Sequence, residues 1–500
     1  MSKKFLIIKM FFMAALAAVK IFFVFAEEKL IKTEPCIYQE VYVISSAAEY
    51  KSDMDFKFCR DDLKHLCYLL STGYAGYPEM VQKGFRIENF TEDVLSGLNP
   101  KNNSITTDTF LAQIALNLKP YIRDRHFLLI NNGNATYIQN KKIVYWSDIY
   151  LEKKDKNFFV KDGKGIVENG VHYSTDFETL FYYPLKGENV FRLGFLSSEP
   201  IEKKEFEFNG KNVSVPLYDD ESIAELPIKY KEIETPDSAY LCMNFFRLPD
   251  YNTVQYNGAE VMFEKFIECG EKFVNKKNIV VDLRGNKGGW LYPSFGFYSF
   301  LYTGRDMRHY LFECRIEDFM NYDFLYSPAY VLHYYNLACI YNWNNKNDWC
   351  NEKIEMRKSP VKKIYINNPR EIDYLYEPKK FNGKLILLID RKTASAGEHA
   401  VLFAKRIFGD ENVIVVGENS MGCASYSAGI RLKLPCSKIV VSFSPMKMHE
   451  MDSFDLWNGE NTGIFPDYWS TREDLNELIY SITQDEEFRV ELKSIGLNYL

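Results

Sequence analysis

The sequence predicts a multidomain α/β protein, and three observations predict it. Apolar residues recur at helical spacing between Asp61 and about Ile122. Short β-type runs follow from His126 to about Glu234, broken by Gly, Asn and Asp turns as in NNGNATYIQN and KDGKGIVENG. From Ala239 onward strand-like and helix-like segments alternate, which implies crossover connections and a largely parallel sheet.

Each region has its own reading. In the N-terminal helical domain, Leu63, Leu66, Cys67 and Leu70 mark one helix face, and Asn99-Pro100 breaks the block. The middle region reads as a small β-rich domain. In the third region YLCMNFF is strand-like. A helix around Ala259–Phe273 follows, with Met262, Phe266, Cys269 and Phe273 on one face. Buried strands are expected at Asn278–Leu283, at LILLID (385–390) and at VIVV (413–416). A helix is expected over Glu398–Phe408, and Ile430, Leu432 and Leu434 alternate as in a β-hairpin arm. The stretch 291–375 is Tyr-rich with little periodicity and reads as an insertion. The expected division is 1–26 leader, 27–126 helical, 127–235 β-rich, 236–470 catalytic α/β and 471–500 helical tail.

Bulk properties narrow the function classes. The chain has 500 residues, more than one ordinary core accommodates. An apolar fraction of 46% argues against disorder. A net charge of −7 with no long basic block argues against a nucleic-acid partner. The ten cysteines are scattered; their even number permits disulfides in an exported chain. No C-x-x-C pair occurs and no histidine clusters with them, so neither a zinc site nor another cofactor is expected.

The N-terminus has the layout of a secretory signal peptide. Lys3 and Lys4 precede an apolar run from Phe5 to Ala26, which ends in Val24-Phe25-Ala26 and turns acidic at Glu27-Glu28. Lys9 and Lys20 interrupt the run. The expectation is export to the periplasm or outside the cell, with membrane contact only through this segment if it stays uncleaved.

The strongest chemical signal is LILLIDRKTASAGEH. A buried strand runs into a small-residue turn and then a helix, with Ser395 at the junction. A serine there is exposed at the sheet edge beside free N–H groups of the helix start, and the Ala396 N–H can hold a developing oxyanion. Taken alone, an N-cap serine in a capping box with Glu398 explains the same residues. The second signal, VVDLRGNKGG (280–289), ends a strand in a loop whose Gly288 and Gly289 allow close backbone approach to a ligand. A plain strand-to-helix turn is the competing reading, and no phosphate-loop spacing is present.

Together with VVGENSMG (415–422) and WNGENTGIFPD (457–467), these segments resemble the tail-specific (C-terminal processing) and tricorn-core serine peptidase superfamily. Its members carry D-L-R-x-N-x-G-G, T-A-S-A-x-E, V-G-E-x-x-x-G and E-N-x-G-x-x-P-D in this order. The resemblance covers residues 236–470 well and 60–126 weakly. It implies a crotonase-like core and a serine endopeptidase acting on polypeptide substrates. Tail-specific members place a Lys after the glycine of the third motif; here Cys423 stands there. The tricorn-like branch takes a His from the helical region and a Glu from the fourth motif, which correspond to His126 in YIRDRHFLLI and Glu460. The resemblance thus implies Ser395 as nucleophile, His126 as base and Glu460 as its orienter, with the N–H groups of Gly288 or Gly289 and of Ala396 as oxyanion hole. Arg125 stands where the tricorn core has an assisting serine. Asp124 is a competing orienter.

Many relatives carry a PDZ-like domain in the middle region, and Arg192-Leu193-Gly194-Phe195 is loosely like its carboxylate loop. A strand containing a glycine explains it equally. Two other functions remain open: a non-catalytic binding protein on the same fold, and an esterase or amidase using the same triad.

Overall fold

The computed structural model describes residues 27–31, 52–101, 103–172, 178–220, 230–244, 246, 256–305, 322–327, 329–334, 347–348, 351, 361–366, 380–427, 429–448, 451 and 454–497. The expected leader, residues 1–26, lies outside them. Among the described residues no helix is long and apolar enough to cross a membrane. The chain divides into two compact units, each assembled from three separate stretches.

The first unit takes residues 1–139, 313–371 and 425–451. Four helices run over Cys59–Gly73, Tyr77–Gln82, Ile87–Ser96 and Thr107–Leu118. Leu63, Leu66, Cys67 and Leu70 are buried, as their spacing requires. Asn99-Pro100 falls in the gap between the last two helices, since proline cannot continue a helix. The hairpin arm forms as strands Ile430–Lys433 and Val440–Phe443, and the latter pairs antiparallel with Leu128–Asn131. Asp62 is buried in the first helix and accepts the N–H groups of Cys436 and Ser437 at 2.8 and 2.7 Å. That pair of bonds anchors the hairpin turn to the helix. Strand Val361–Ile366 pairs antiparallel with Glu27–Ile31 on one side and Tyr322–Tyr326 on the other.

The second unit takes residues 140–312, 372–424 and 452–500. Its first part is an antiparallel sheet built on the long strand Ile143–Lys154, which pairs with Asn157–Asp162 and Val190–Ser197. Phe158, Leu193, Phe206 and Val215 fill one face. Val144, Trp146, Phe181 and Tyr183 fill the other, where Trp469 joins them. Arg192-Leu193-Gly194-Phe195 lies inside a strand and forms no carboxylate-binding loop. Arg192 is buried among rings, 5.0 Å from Trp146 and 5.4 Å from Tyr150 and Tyr183, and donates to Ser147 O at 2.9 Å.

The rest of this unit carries the α/β sheet. Its elements are β1 (Tyr230–Glu234), β2 (Ser238–Met243), α1 (Tyr256–Lys272), β3 (Asn278–Asp282), α2 (Tyr292–Thr303), β4 (Lys384–Ile389), α3 (Ala396–Phe408), β5 (Val413–Gly417) and β6 (Tyr468–Trp469). The sheet order is β1-β2-β3-β4-β5-β6. The β1–β2 pair is antiparallel and every other pair is parallel. Every residue of β3 is buried, the mark of a strand covered on both faces. One cover includes the tail helices Leu475–Thr483 and Glu486–Ser494, whose Leu475, Ile479 and Phe488 join Val280, Ile386 and Val416. The 291–375 stretch, expected as an insertion with little periodicity, is described only in part. It opens with α2, whose Phe295, Phe297, Tyr298 and Leu301 are buried. A helix with so little polar face shows no period to read.

Helices α1 and α2 approach closely because each brings a glycine to the contact. A Cβ on Gly296 would lie 2.7 Å from Ile267, and one on Gly270 would lie 2.4 Å from the Phe297 carbonyl oxygen. Gly→Ala inside a helix ordinarily gains about 1 kcal/mol. Here the obstacle is backbone, and overpacking of about 1–3 kcal/mol or more opposes that gain. Gly270→Ala is therefore expected to destabilise the fold by up to about 2 kcal/mol net and so to lower the denaturation midpoint. A raised midpoint in guanidinium unfolding would show that the helices do not pack this closely.

Candidate active site

Ser395 sits between β4 and α3, half-buried, with φ 51° and ψ −115°. A non-glycine residue at positive φ is strained and persists only where its surroundings hold it. The holding groups are identifiable. Asp390, the residue after β4, accepts the N–H groups of Gly285, Lys392 and Thr393, each at 2.9 Å. Thr393 Oγ1 donates to Leu283 O at 2.9 Å, and Ala394 N–H donates to Asn286 O at 2.8 Å. The serine turn and the glycine loop after β3 are thereby stitched together.

Asn286 completes the loop. It is fully buried, donates Nδ2 to Met243 O at 2.9 Å and accepts the Gly288 N–H on Oδ1 at 2.9 Å. The loop must carry glycine at 288. A Cβ there would lie 2.7 Å from Ser395 Cβ and 2.9 Å from Ala396 N, and φ is +85°. Because the Gly288 N–H is committed to Asn286, the loop amide left open is that of Gly289. Gly289 is exposed, and neither its N–H nor that of Ala396 meets an acceptor among the described residues.

Glu398, three residues into the turn, is fully buried and accepts four hydrogen bonds. Oε2 takes Ser395 N–H at 2.9 Å and Cys423 N–H at 3.0 Å. Oε1 takes Ser420 Oγ at 2.5 Å and Gly422 N–H at 2.7 Å. Burial raises its pKa, and those four donors oppose the rise. Gly422 in turn abuts the fourth motif, since a Cβ on it would lie 2.6 Å from the N atoms of Asn461 and Thr462. Glu460, half-buried, therefore stands one residue from a loop held by Glu398. The Cys423 thiol is buried, and its pKa is driven well up, first by burial and then by the charges of Glu398 and Glu460. A neutral thiol supplies neither a base nor a thiolate, so Cys423 does not do the work of a lysine at that position.

Two residues that sequence reasoning passed over also secure the turn. Lys141 donates Nζ to Arg391 O at 2.9 Å and Asn419 O at 3.1 Å. Burial, then the Arg391 charge, pushes its ammonium down to about 7. Arg391 bonds Glu418 of the third motif at 2.8 Å and Asp219 at 2.6 Å. Lys141 stands in an ordinary Asn-Lys-Lys turn, with no local signal to mark it.

His126 belongs to the first unit; Ser395, Glu460, Gly288, Gly289 and Ala396 belong to the second. His126 lies in the connection between the last N-terminal helix and strand Leu128–Asn131. Its N–H donates to Asp124 Oδ1 at 2.7 Å, and its ring Nδ1 is 3.8 Å from that oxygen. Asp124 is fully buried, and Oδ2 has no hydrogen-bond partner among the described residues. Burial pushes this carboxyl up to about 7 against hydrogen bonds from the backbone of His126, Ser444 and Phe127. Arg125 turns to the Gln139 carbonyl and lies over the Tyr137 ring at 4.1 Å. His399, one turn into α3, is committed through Nε2 to Ala424 O at 3.0 Å. Among the described residues no cluster of His, Cys, Asp or Glu could hold a metal ion. The six described cysteines, Cys59, Cys67, Cys242, Cys269, Cys423 and Cys436, form no disulfide with one another; Cys36, Cys314, Cys339 and Cys350 lie outside the described residues.

A strained serine on a strand-to-helix turn, pressed by a glycine loop and faced by open backbone N–H donors, is the arrangement of a serine-type peptidase. Residues 239–468 match the model of Peptidase family S41, which supports the resemblance to the tail-specific and tricorn-core serine peptidase superfamily over this segment. No curated protein matches the chain. Among solved structures it is similar to mature CPAF complexed with lactacystin, at 12% identity over 89% of this chain and 99% of that one, TM-score 0.42. It is similar to a peptidase from Parabacteroides merdae at 14% identity over 84% and 92%, TM-score 0.37. It is also similar to the photosystem II D1 C-terminal processing protease at 12% identity over 83% and 93%, TM-score 0.33.

The Glu398 network yields a direct expectation. Glu398→Gln keeps the shape but turns one acceptor oxygen into a donor facing groups that also donate. It should cost about 2–4 kcal/mol of stability. Release of the Ser395 turn should lower the rate of active-site labelling more than tenfold. Wild-type melting and labelling in this variant would show that the network does not hold the turn.

Proposed function

We propose that the protein is an exported serine endopeptidase that cleaves polypeptides through an acyl-enzyme on Ser395. The observation that carries this reading is the contact of Gly288 with Ser395, which leaves the Gly289 and Ala396 N–H groups open beside the nucleophile. Ser395 Oγ bonds to the scissile carbonyl carbon while His126 takes its proton. The oxyanion is held by Gly289 and Ala396 N–H. The C–N bond then breaks, and His126 returns the proton to the leaving amine. Water attacks the ester by the same route and frees the enzyme. The apolar segment Phe5–Ala26 supports export. No cofactor or metal enters this scheme.

A fluorophosphonate probe tests the assignment. It should label the protein at Ser395 and nowhere else, and Ser395→Ala should lose both labelling and peptide hydrolysis while keeping its melting temperature. Peptide turnover that persists in Ser395→Ala would end this reading. Tight peptide binding by an unlabelled wild type would favour the binding-protein alternative, and ester turnover without peptide turnover the esterase.

The base and its orienter are tested separately. His126→Ala should be inactive, and the wild-type pH–rate profile should show a base titrating near neutrality. For the orienter we propose Glu460. Asp124 is a second reading, favoured by the 3.8 Å separation of its carboxylate from His126 Nδ1. Loss of the orienting carboxylate costs about 10⁴-fold in kcat in the Ser-His-Asp example. Glu460→Gln should show a loss of that order and Asp124→Asn less than about tenfold. The reverse ranking would transfer the role to Asp124.

A further inference from the structure

Trp290 directly follows the glycine pair that presses on Ser395. It is 44% exposed, whereas Phe295, Phe297 and Tyr298 further along its segment are buried. Single exposed apolar residues are common on protein surfaces and call for no explanation by themselves. Position sets this one apart. The other large hydrophobics exposed among the described residues lie on segments that carry none of the site residues. Among the described residues Trp290 makes no ring–ring or cation–ring contact, and part of its indole is exposed.

The backbone shows what could cover it. Phe246 N–H donates to Gly288 O at 3.2 Å, and Trp290 N–H donates to Phe246 O at 2.5 Å. Phe246 and Gly289 are thus bridge partners in parallel register. In such a ladder the bonds to one neighbour come from the residues on either side of the bridge residue. The N–H and C=O of Gly289 itself therefore point to the opposite, open edge. A polypeptide whose carbonyl reaches the Gly289 N–H must lie along that edge, within two residues' span of Gly288, about 7 Å. Trp290 is the adjacent residue, and an indole reaches across such a span.

We propose that Trp290 determines specificity by packing against a large apolar side chain of the polypeptide substrate, close to the scissile bond. This rests on the reading of Ser395 as nucleophile. It adds a substrate class to that reading: chains with an aromatic or large aliphatic residue near the cleaved bond. Apolar packing on an exposed indole supplies area at small cost in side-chain freedom, because tryptophan has few rotatable bonds.

The test uses the full chain and a library of fluorogenic decapeptides, with cleaved bonds identified by mass spectrometry. Wild type should enrich a large apolar residue at one position beside the cleaved bond. For a peptide pair differing there as Leu and Gly, the ratio of kcat/KM values should fall at least tenfold in Trp290→Ala, mainly through KM. It should stay within threefold of wild type in Trp290→Phe. An unchanged ratio in Trp290→Ala overturns the proposal. Should that variant fail to fold, peptide titration of Ser395→Ala should change tryptophan fluorescence, and Ser395→Ala/Trp290→Phe should lose that change. Equal changes in the two proteins overturn it as well. A wild type that is neither labelled at Ser395 nor able to cleave any peptide sinks the peptidase reading itself. Labelling and cleavage with an unaltered ratio sink only the role of Trp290.

Discussion

Four donors converging on the Glu398 carboxylate hold the serine turn in a conformation it would otherwise leave. Ser395 at φ 51° stores strain on the order of 1–3 kcal/mol. Its N–H is bonded by the same carboxylate that takes the backbone of Gly422 and Cys423. Burial of an ionised carboxylate is costly unless its acceptor capacity is filled. Here each oxygen takes two donors, so the charge is solvated by protein dipoles. The turn, the third motif and the loop of the fourth motif become one body. A shift in any of them would leave a buried oxygen short of a donor, which is what makes the arrangement resist relaxation.

The antiparallel sheet of residues 143–219 contributes to that body from the side. Trp146 meets Trp469 of β6 edge to face, with centroids 6.0 Å apart. Tyr183 bonds Asp474 at the start of the tail helices. Arg391, on the serine turn, reaches Asp219 at 2.6 Å. Lys141, just before the long strand, clamps carbonyls of the serine turn and the third motif together. The middle sheet is therefore a support for the serine turn. Its Arg192 is enclosed by rings and donates to Ser147 O, Tyr183 and Tyr218, so it is committed within the sheet.

What was legible in the sequence follows from the range of the forces involved. Strands β3, β4 and β5 were legible because strands buried on both faces read as unbroken apolar runs. The serine turn was legible because it stands between an apolar strand and a helix, in a fixed order with three other motifs. The three-part composition of each unit was not legible, since the pairing of Leu128–Asn131 with Val440–Phe443 joins segments three hundred residues apart in no local pattern. Helix α2 was missed because aromatic burial on most of its faces erases periodicity. Lys141 was missed for a similar reason: its partners are backbone carbonyls, which leave no mark on composition. That the Gly288 N–H is already committed rests on one side-chain bond, to Asn286 Oδ1, that spacing cannot reveal.

The two acidic candidates for orienting His126 stand in opposite environments, and chemistry separates them more sharply than position does. Glu460 is half-buried on a glycine-rich loop. Asp124 is dry, and burial pushes it up to about 7, so near neutrality it is only partly charged. An orienting carboxylate must be charged when the imidazolium forms, because that charge is what stabilises it. Asp124 meets this condition only if the proton arriving on His126 itself drives the ionisation, a coupling that belongs to the pair and to neither residue alone. Its oxygen facing the ring also accepts the His126 backbone N–H at 2.7 Å, and that bond is kept in either protonation state of the ring. The geometry suits a residue that fixes the backbone of the histidine, with a carboxylate elsewhere fixing its tautomer. The chain position of His126 is thus set by Asp124 through a bond that does not depend on the charge of the ring.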